Sequence, residues 1–358
     1  MMNRKDFYEY IKDNVKNYLP PAFENAKIEL TETIKVNDVK LTSINIVRPG
    51  EHICPAIYLN GIYDQYREGK DLDSCVGDVA DYRIEYDDSD LIPDISKLID
   101  YENVKGKLQV RICDPELNQE RLNKLVHNIR GDYAAIYYVN LNREEEYFSG
   151  MPVTNEMFAR WNISKEQLHA DAMAADKNRG PLFCVMSELM DEMFMGKEPC
   201  NMLQEKEFIV PGILEMPMYC LTNGERSNGA SLIFHDDILE KIGAVIRSDY
   251  YVLPSSLHEV LILPDSIEMP LSDMTAMVRE INEFQVAVED RLSDKIQFYS
   301  RESKVLENAQ KREDRLTMER ESQSGKSIKE RMAAAKKEMA VIPHTKVEHR
   351  ARSMEAVM

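Results

Sequence analysis

Phosphate loops, metal-ligand pairs and long apolar runs are all missing from this chain. Nothing fits G-x-x-x-x-G-K-[ST], and the 14 glycines are too scattered for G-x-G-x-x-G, so neither nucleotide-binding turn opens a helix. The six cysteines, Cys54, Cys75, Cys113, Cys184, Cys200 and Cys220, contain no C-x-x-C, and several stand among apolar neighbours, as in Phe183-Cys184-Val185-Met186. That usage belongs to reduced, buried intracellular thiols and not to a disulfide framework or a zinc site. The seven histidines form no H-E-x-x-H pair. No stretch approaches the ~18 uncharged apolar residues that span a bilayer. Met1-Met2-Asn3-Arg4-Lys5-Asp6 runs into a charged amphipathic segment with no apolar core of a signal peptide behind it. The expectation is a cytoplasmic chain without cofactor or membrane contact.

Charge is abundant but uneven. Lys and Arg number 45 against 63 Asp and Glu, a net −18 over 358 residues. Residues 301–358 hold 14 basic and 10 acidic residues, which leaves 31 and 53 for residues 1–300, a balance of −22. A body so acidic repels phosphate, so direct nucleic-acid binding by it is not expected. The hydrophobic share of 43% is that of a folded protein.

Periodicity then places the elements. Phe7, Tyr10, Ile11, Val15, Tyr18 and Leu19 predict a helix from Asp6 to Leu19, stopped by Pro20-Pro21. Ala26, Ile28, Leu30, Ile34 and Val36 alternate as a strand, Asn37-Asp38 tolerates a tight turn, and a phase change past Thr42-Ser43 predicts a bulge in the return strand. A helix is expected over 72–86, a strand over 107–112, a helix from Pro115 to Val126, a strand over 133–139 and a Ser164-capped helix. Residues 181–195 read as a core helix. Met218 to Thr222 and Ala230 to Phe234 read as strands joined by a hairpin loop at 223–229. A helix capped by Asp236 or Asp237, strands at 250–253 and 259–263, a helix over 272–283 and a strand at 296–299 close the body. Locally pairing strands with interspersed helices predict an α+β fold with antiparallel or mixed sheets. The division expected is an acidic body at 1–302, with lobes 1–128 and 129–302, and a charged helical or disordered tail at 303–358. In that tail Ser327-Ile328-Lys329-Glu330 is a capping box. The helix it opens, near 327–340, puts Ile328, Met332, Ala335 and Met339 on one side.

Few clusters suggest chemistry. Residues 64–94 carry eleven acids, Asp64 to Asp94, against Arg67, Lys70 and Arg83, but an EF-hand loop started at Asp71 puts Val76 where glycine is required and Tyr82 where the closing Glu belongs. A solvated helix face is the better account. Ser255, Ser256 and His258 lie too close on one segment to aim at each other, and no G-x-S-x-G surrounds them. His258 and Val260 share one face of a strand, which suits a structural histidine.

Several segments resemble a known family. Asp249-Tyr250-Tyr251-Val252-Leu253-Pro254-Ser255-Ser256-Leu257-His258-Glu259-Val260, Leu141-Asn142-Arg143 leading to Trp161-Asn162-Ile163-Ser164, and Arg291-Leu292-Ser293-Asp294-Lys295-Ile296 are together similar to the domain of unknown function 5688 of anaerobic Firmicutes, over about residues 2–302. The resemblance implies a single α+β unit and carries no activity or catalytic residue. The tail helix also looks like the C-terminal tails of accessory proteins of mobile genetic elements. The functional expectation is a non-enzymatic interaction or accessory protein that docks a protein partner through Ile328, Met332, Ala335 and Met339. Two alternatives are a metal-dependent hydrolase using carboxylates of 64–94 with His258 or His52, and an acidic mimic of nucleic acid that occupies a basic partner.

Overall fold

The computed structural model describes residues 1–51, 54–87, 98, 100–144, 147–204 and 218–322. The chain divides into two units, Met1–Ala309 and Gln310–Met358. Helices and three antiparallel sheets make up the first, as the α+β expectation has it. Residues 309–322 are helical, and the expected tail helix with Ile328, Met332, Ala335 and Met339 lies outside the described residues.

The first sheet is local. α1 (Arg4–Asn14) is capped by Asn3, whose side chain accepts from the Asp6 amide at 3.0 Å. The expected helix to Leu19 splits here, because Val15–Tyr18 tightens into a 3-10 turn before the prolines. β1 (Lys27–Ile34) and β2 (Lys40–Val47) pair in unbroken register from Lys27↔Val47 to Ile34↔Lys40, so the expected bulge does not exist. The phase change has another cause: Ile44 and Ile46 serve the local core with α1, whereas Val36 at the hairpin tip packs into the main core of the body. Asn37 and Asp38 both take positive φ, as the turn required. β3 (Ile57–Tyr58), α2 (Leu59–Arg67) and α3 (Leu72–Asp87) complete this region, with Leu59, Cys75, Val76 and Val79 fully buried.

The second sheet contains β4 (Leu108–Cys113), β5 (His127–Arg130), β6 (Tyr133–Glu144) and β7 (Tyr147–Pro152), with β6 central. α4 (Tyr101–Val104) precedes β4, and between β4 and β5 the helix expected from Pro115 to Val126 shrinks to α5 (Gln119–Leu122). α6 (Asn155–Trp161) and α7 (Lys165–Lys177) follow; the Ser164 hydroxyl accepts from the Gln167 amide at 3.1 Å, the expected cap. The apolar run at 181–195 is not one helix but β8 (Pro181–Val185) turning into α8 (Met186–Met195). A fully buried strand has no alternation to betray it.

The third sheet runs β13-β12-β10-β11-β9-β8, with β9 (Tyr219–Asn223), β10 (Tyr250–Leu253), β11 (Val260–Pro264), β12 (Gln297–Ser300) and β13 (Val305–Asn308). α9 (Asp236–Ile246) and α10 (Leu271–Phe284) accompany it. Ala230–Phe234 is not a strand: Gly229–Phe234 is a buried 3-10 helix, so 224–228 is no hairpin loop. Only glycine fits at 229, where a Cβ would stand 2.7 Å from the His258 carbonyl and 2.8 Å from the Asn223 amide nitrogen. Asp236 and Asp237 do not cap α9; they occupy its first turn, where carboxylates favour the positive helix end. Val110 and Tyr137 of the second sheet share one core with Phe183, Leu221, Tyr250 and Ile262 of the third. α10 and the opposite face of the third sheet enclose a separate core through Met274, Val278 and Leu263. Cys184 and Cys220, 36 residues apart in sequence, face each other across β8 and β9 as free thiols, and burial raises the Cys184 thiol to about 12.

Candidate functional site

The packing of α7 onto β4 leaves a cavity of about 460 Å³ at one end of the second sheet. Strand alternation builds its wall. Leu108, Val110 and Ile112 point into the main core, so Lys107, Gln109 and Arg111 fall on the opposite side of the chain. β6 pairs with β4 in the register Gln109↔Tyr138, which brings Asn140 alongside. The C-terminal end of α7 supplies Ala175 and Asn178, and Arg179 closes the floor.

Arg179 is neutralised. Its Nε donates to Glu225 at 2.9 Å, one terminal nitrogen to Asp176 at 3.2 Å and the other to the Ser227 carbonyl at 2.5 Å. The far oxygen of Asp176 accepts from the Ser231 hydroxyl at 2.9 Å and lies 3.5 Å from His235 Nε2. This buried network orders the floor and sets two carboxylates, Asp176 and Glu225, against the Arg179 charge. By contrast, Asn140 is 9% exposed and its side-chain oxygen accepts nothing. The exposed Lys107 ammonium has no acidic partner among the described residues. An unmet acceptor, a free cation, two further amides and the apolar flank of Leu108, Leu141 and Ala175 suit a small polar molecule with both an N–H or O–H donor and a negative charge.

The residues singled out from the sequence lie elsewhere. His258 sits in the bend before β11 and not on the strand; its Nε2 is 3.2 Å from Asp290, and its Nδ1 accepts from the Asn228 amide at 3.3 Å. The Ser256 hydroxyl accepts from the His258 backbone amide at 2.9 Å, so no serine is activated by that ring. Within 64–87, Asp71 caps α3 through Ser74 and Asp78 pairs with Lys70, while Asp64, Glu68, Asp73, Asp81 and Glu85 are exposed. Among the described residues no three His, Cys, Asp or Glu side chains group as metal ligands; His52 and the acids of 88–94 lie outside those residues.

Sequence reasoning missed Lys107, Gln109, Asn140, Asn178 and Arg179. The one available signal was the polar alternation Lys107, Gln109, Arg111, which reads as a solvated strand face. No helix among the described residues is long and apolar enough to cross a membrane. Neither the curated proteins nor the solved structures offer a match to this chain. A family model does match, over residues 4–301, which take in the cavity and every strand of the three sheets but β13: the chain belongs to DUF5688, a family of unknown function.

Proposed function

We propose that the body is a non-enzymatic binding module that holds a small anionic ligand in the cavity between β4, β6 and α7. The observation that carries this reading is the contrast within one wall, where Arg179 is fully neutralised while the Asn140 oxygen and the Lys107 ammonium are left to a guest. Leaving a buried acceptor unpaired costs about 1–3 kcal/mol, which a ligand donor recovers. The compartment this reading assigns is the cytoplasm, in keeping with six free thiols, four of them buried. The tail segment 327–340 is read as the element that docks a protein partner through Ile328, Met332, Ala335 and Met339. Pull-downs with the full chain and with residues 1–321 test it, and identical partner sets retire it.

Thermal unfolding of the full chain against a panel of small carboxylates and phosphate esters tests the cavity. A ligand at a hundred times its Kd stabilises by about 2.7 kcal/mol, so a hit raises Tm visibly. Asn178→Trp, at an exposed position on the cavity lining, should keep the unliganded Tm and lose the shift. A panel without a hit, or hits indifferent to Asn178→Trp, would remove the cavity from consideration.

A further inference from the structure

Two residues along β4 from the cavity wall, Arg111 lays its guanidinium 3.9 Å above the ring centroid of Tyr138. The hydroxyl of the same tyrosine accepts from Arg121 of α5. One ring therefore gathers two guanidiniums, one on its face and one at its edge. Both are short of partners: Arg111 Nε and one terminal nitrogen of Arg121 are buried and donate to nothing. Among the described residues neither forms an ion pair, and the Asp38 carboxylate, which reaches α5 from the β1–β2 turn, is spent on the backbone amides of Glu120 and Arg121 at 2.9 and 3.0 Å. Burial lowers the proton affinity of Arg111, and the charges of Arg179 and Arg121 lower it further.

Two like charges, one buried and one half-buried, without a counter-ion among the described residues are unfavourable unless something negative joins them. The fork is also held in place. Across β6, Gly150 of β7 lies so close that a Cβ there would stand 2.9 Å from a terminal nitrogen of Arg111 and 3.4 Å from the Tyr138 ring. The guanidinium is thus clamped between an aromatic face and a bare backbone, with its rotamer entropy already lost. That is the preorganisation a bidentate oxyanion site needs. Arg121 is 7% exposed, whereas Arg111 is half-buried and gives the pair a side open to solvent.

We propose that Arg111 and Arg121, joined by Tyr138, form an oxyanion site that takes a carboxylate or phosphate group. The inference stands on these two guanidiniums and not on the cavity. The probes are inorganic phosphate and malonate, added to the full chain at constant ionic strength, with chloride as the reference, and read by thermal unfolding and titration calorimetry. One of them should raise Tm saturably above chloride; phosphate alone, malonate alone or both define which oxyanion the fork accepts. Arg111→Lys keeps the charge without the fork and should weaken binding about tenfold; Arg111→Met should abolish it. Arg111→Met should also hold or raise the anion-free Tm, because it removes an uncompensated charge; should it fail to fold, Arg121→Gln takes its place in the same titration. The site is refuted if neither anion exceeds chloride, or if the response survives in Arg111→Met or Arg121→Gln. Asn178→Trp, which tests the cavity, should leave the oxyanion response intact, so the two readings fail separately.

Discussion

Arg83 in the first sheet region is fully buried and Arg111 in the second is half-buried, and their guanidiniums are treated in opposite ways. Arg83 is 0% exposed; its Nε donates to the Ile46 carbonyl at 2.9 Å, a terminal nitrogen reaches Glu51 at 2.6 Å, and the Phe23 ring covers it at 4.8 Å. Arg179 follows the same pattern with Asp176 and Glu225. Arg111 has the aromatic contact and, among the described residues, no carboxylate. A protein that pairs two of its buried guanidiniums so fully has the means to pair a third. The difference teaches that the first two hold the fold together, whereas the third is held ready by it.

Removing a partner should separate the two cases most sharply. Glu51→Gln or Asp176→Asn takes one carboxylate away from a buried guanidinium and should cost about 1.5–3 kcal/mol in urea unfolding. A loss under about 1 kcal/mol in both would dissolve the comparison. The acid limb of the stability curve comes next. Desolvation raises the Glu51 carboxyl, but the Arg48 amide and the Arg83 guanidinium outweigh it and hold the group below its ordinary value. A carboxylate depressed in the folded state contributes stability above its unfolded value, near about 4.3, and that contribution is lost as pH falls through the folded one. Glu51→Gln should therefore flatten this part of the acid limb, and an unchanged pH profile would break the assignment. Tyr138→Leu removes the ring under Arg111 and the acceptor of Arg121, and should cost about 1–2 kcal/mol beyond the change in apolar area. Smallest is Arg111→Met, expected between about zero and 1 kcal/mol of stabilisation without anion. A loss as large as that of Glu51→Gln would mean that Arg111 is structural after all.

Legibility in the sequence followed exposure. Elements with one wet face were read closely: the hairpin turned at Asn37-Asp38, Ser164 capped α7, and α9 and α10 carried their stripes. Errors fell where both faces are dry. At 181–187 and 230–234 every position is apolar or small, so no period distinguishes strand, α-helix and 3-10 turn. The supposed bulge at Thr42-Ser43 misread a hairpin whose tip belongs to a different core from its base. The candidate site was harder still. Lys107, Gln109 and Arg111 alternate as a solvated strand face would, yet Gln109 is 5% exposed because α7 and the crossing strands cover that side.

Local chemistry in the chain was enough to set the α+β class, the Ser164 cap, the Asn37-Asp38 turn and the absence of familiar nucleotide and zinc motifs from the sequence, since each depends on neighbours a few residues apart. Which polar groups end up paired was decided only in three dimensions. Arg83 and Glu51 are 32 residues apart, Arg179 and Glu225 are 46 apart, and Tyr138 stands 17 from Arg121. A charge is costly or harmless according to what the fold brings within a hydrogen bond of it, and no spacing in the chain records that.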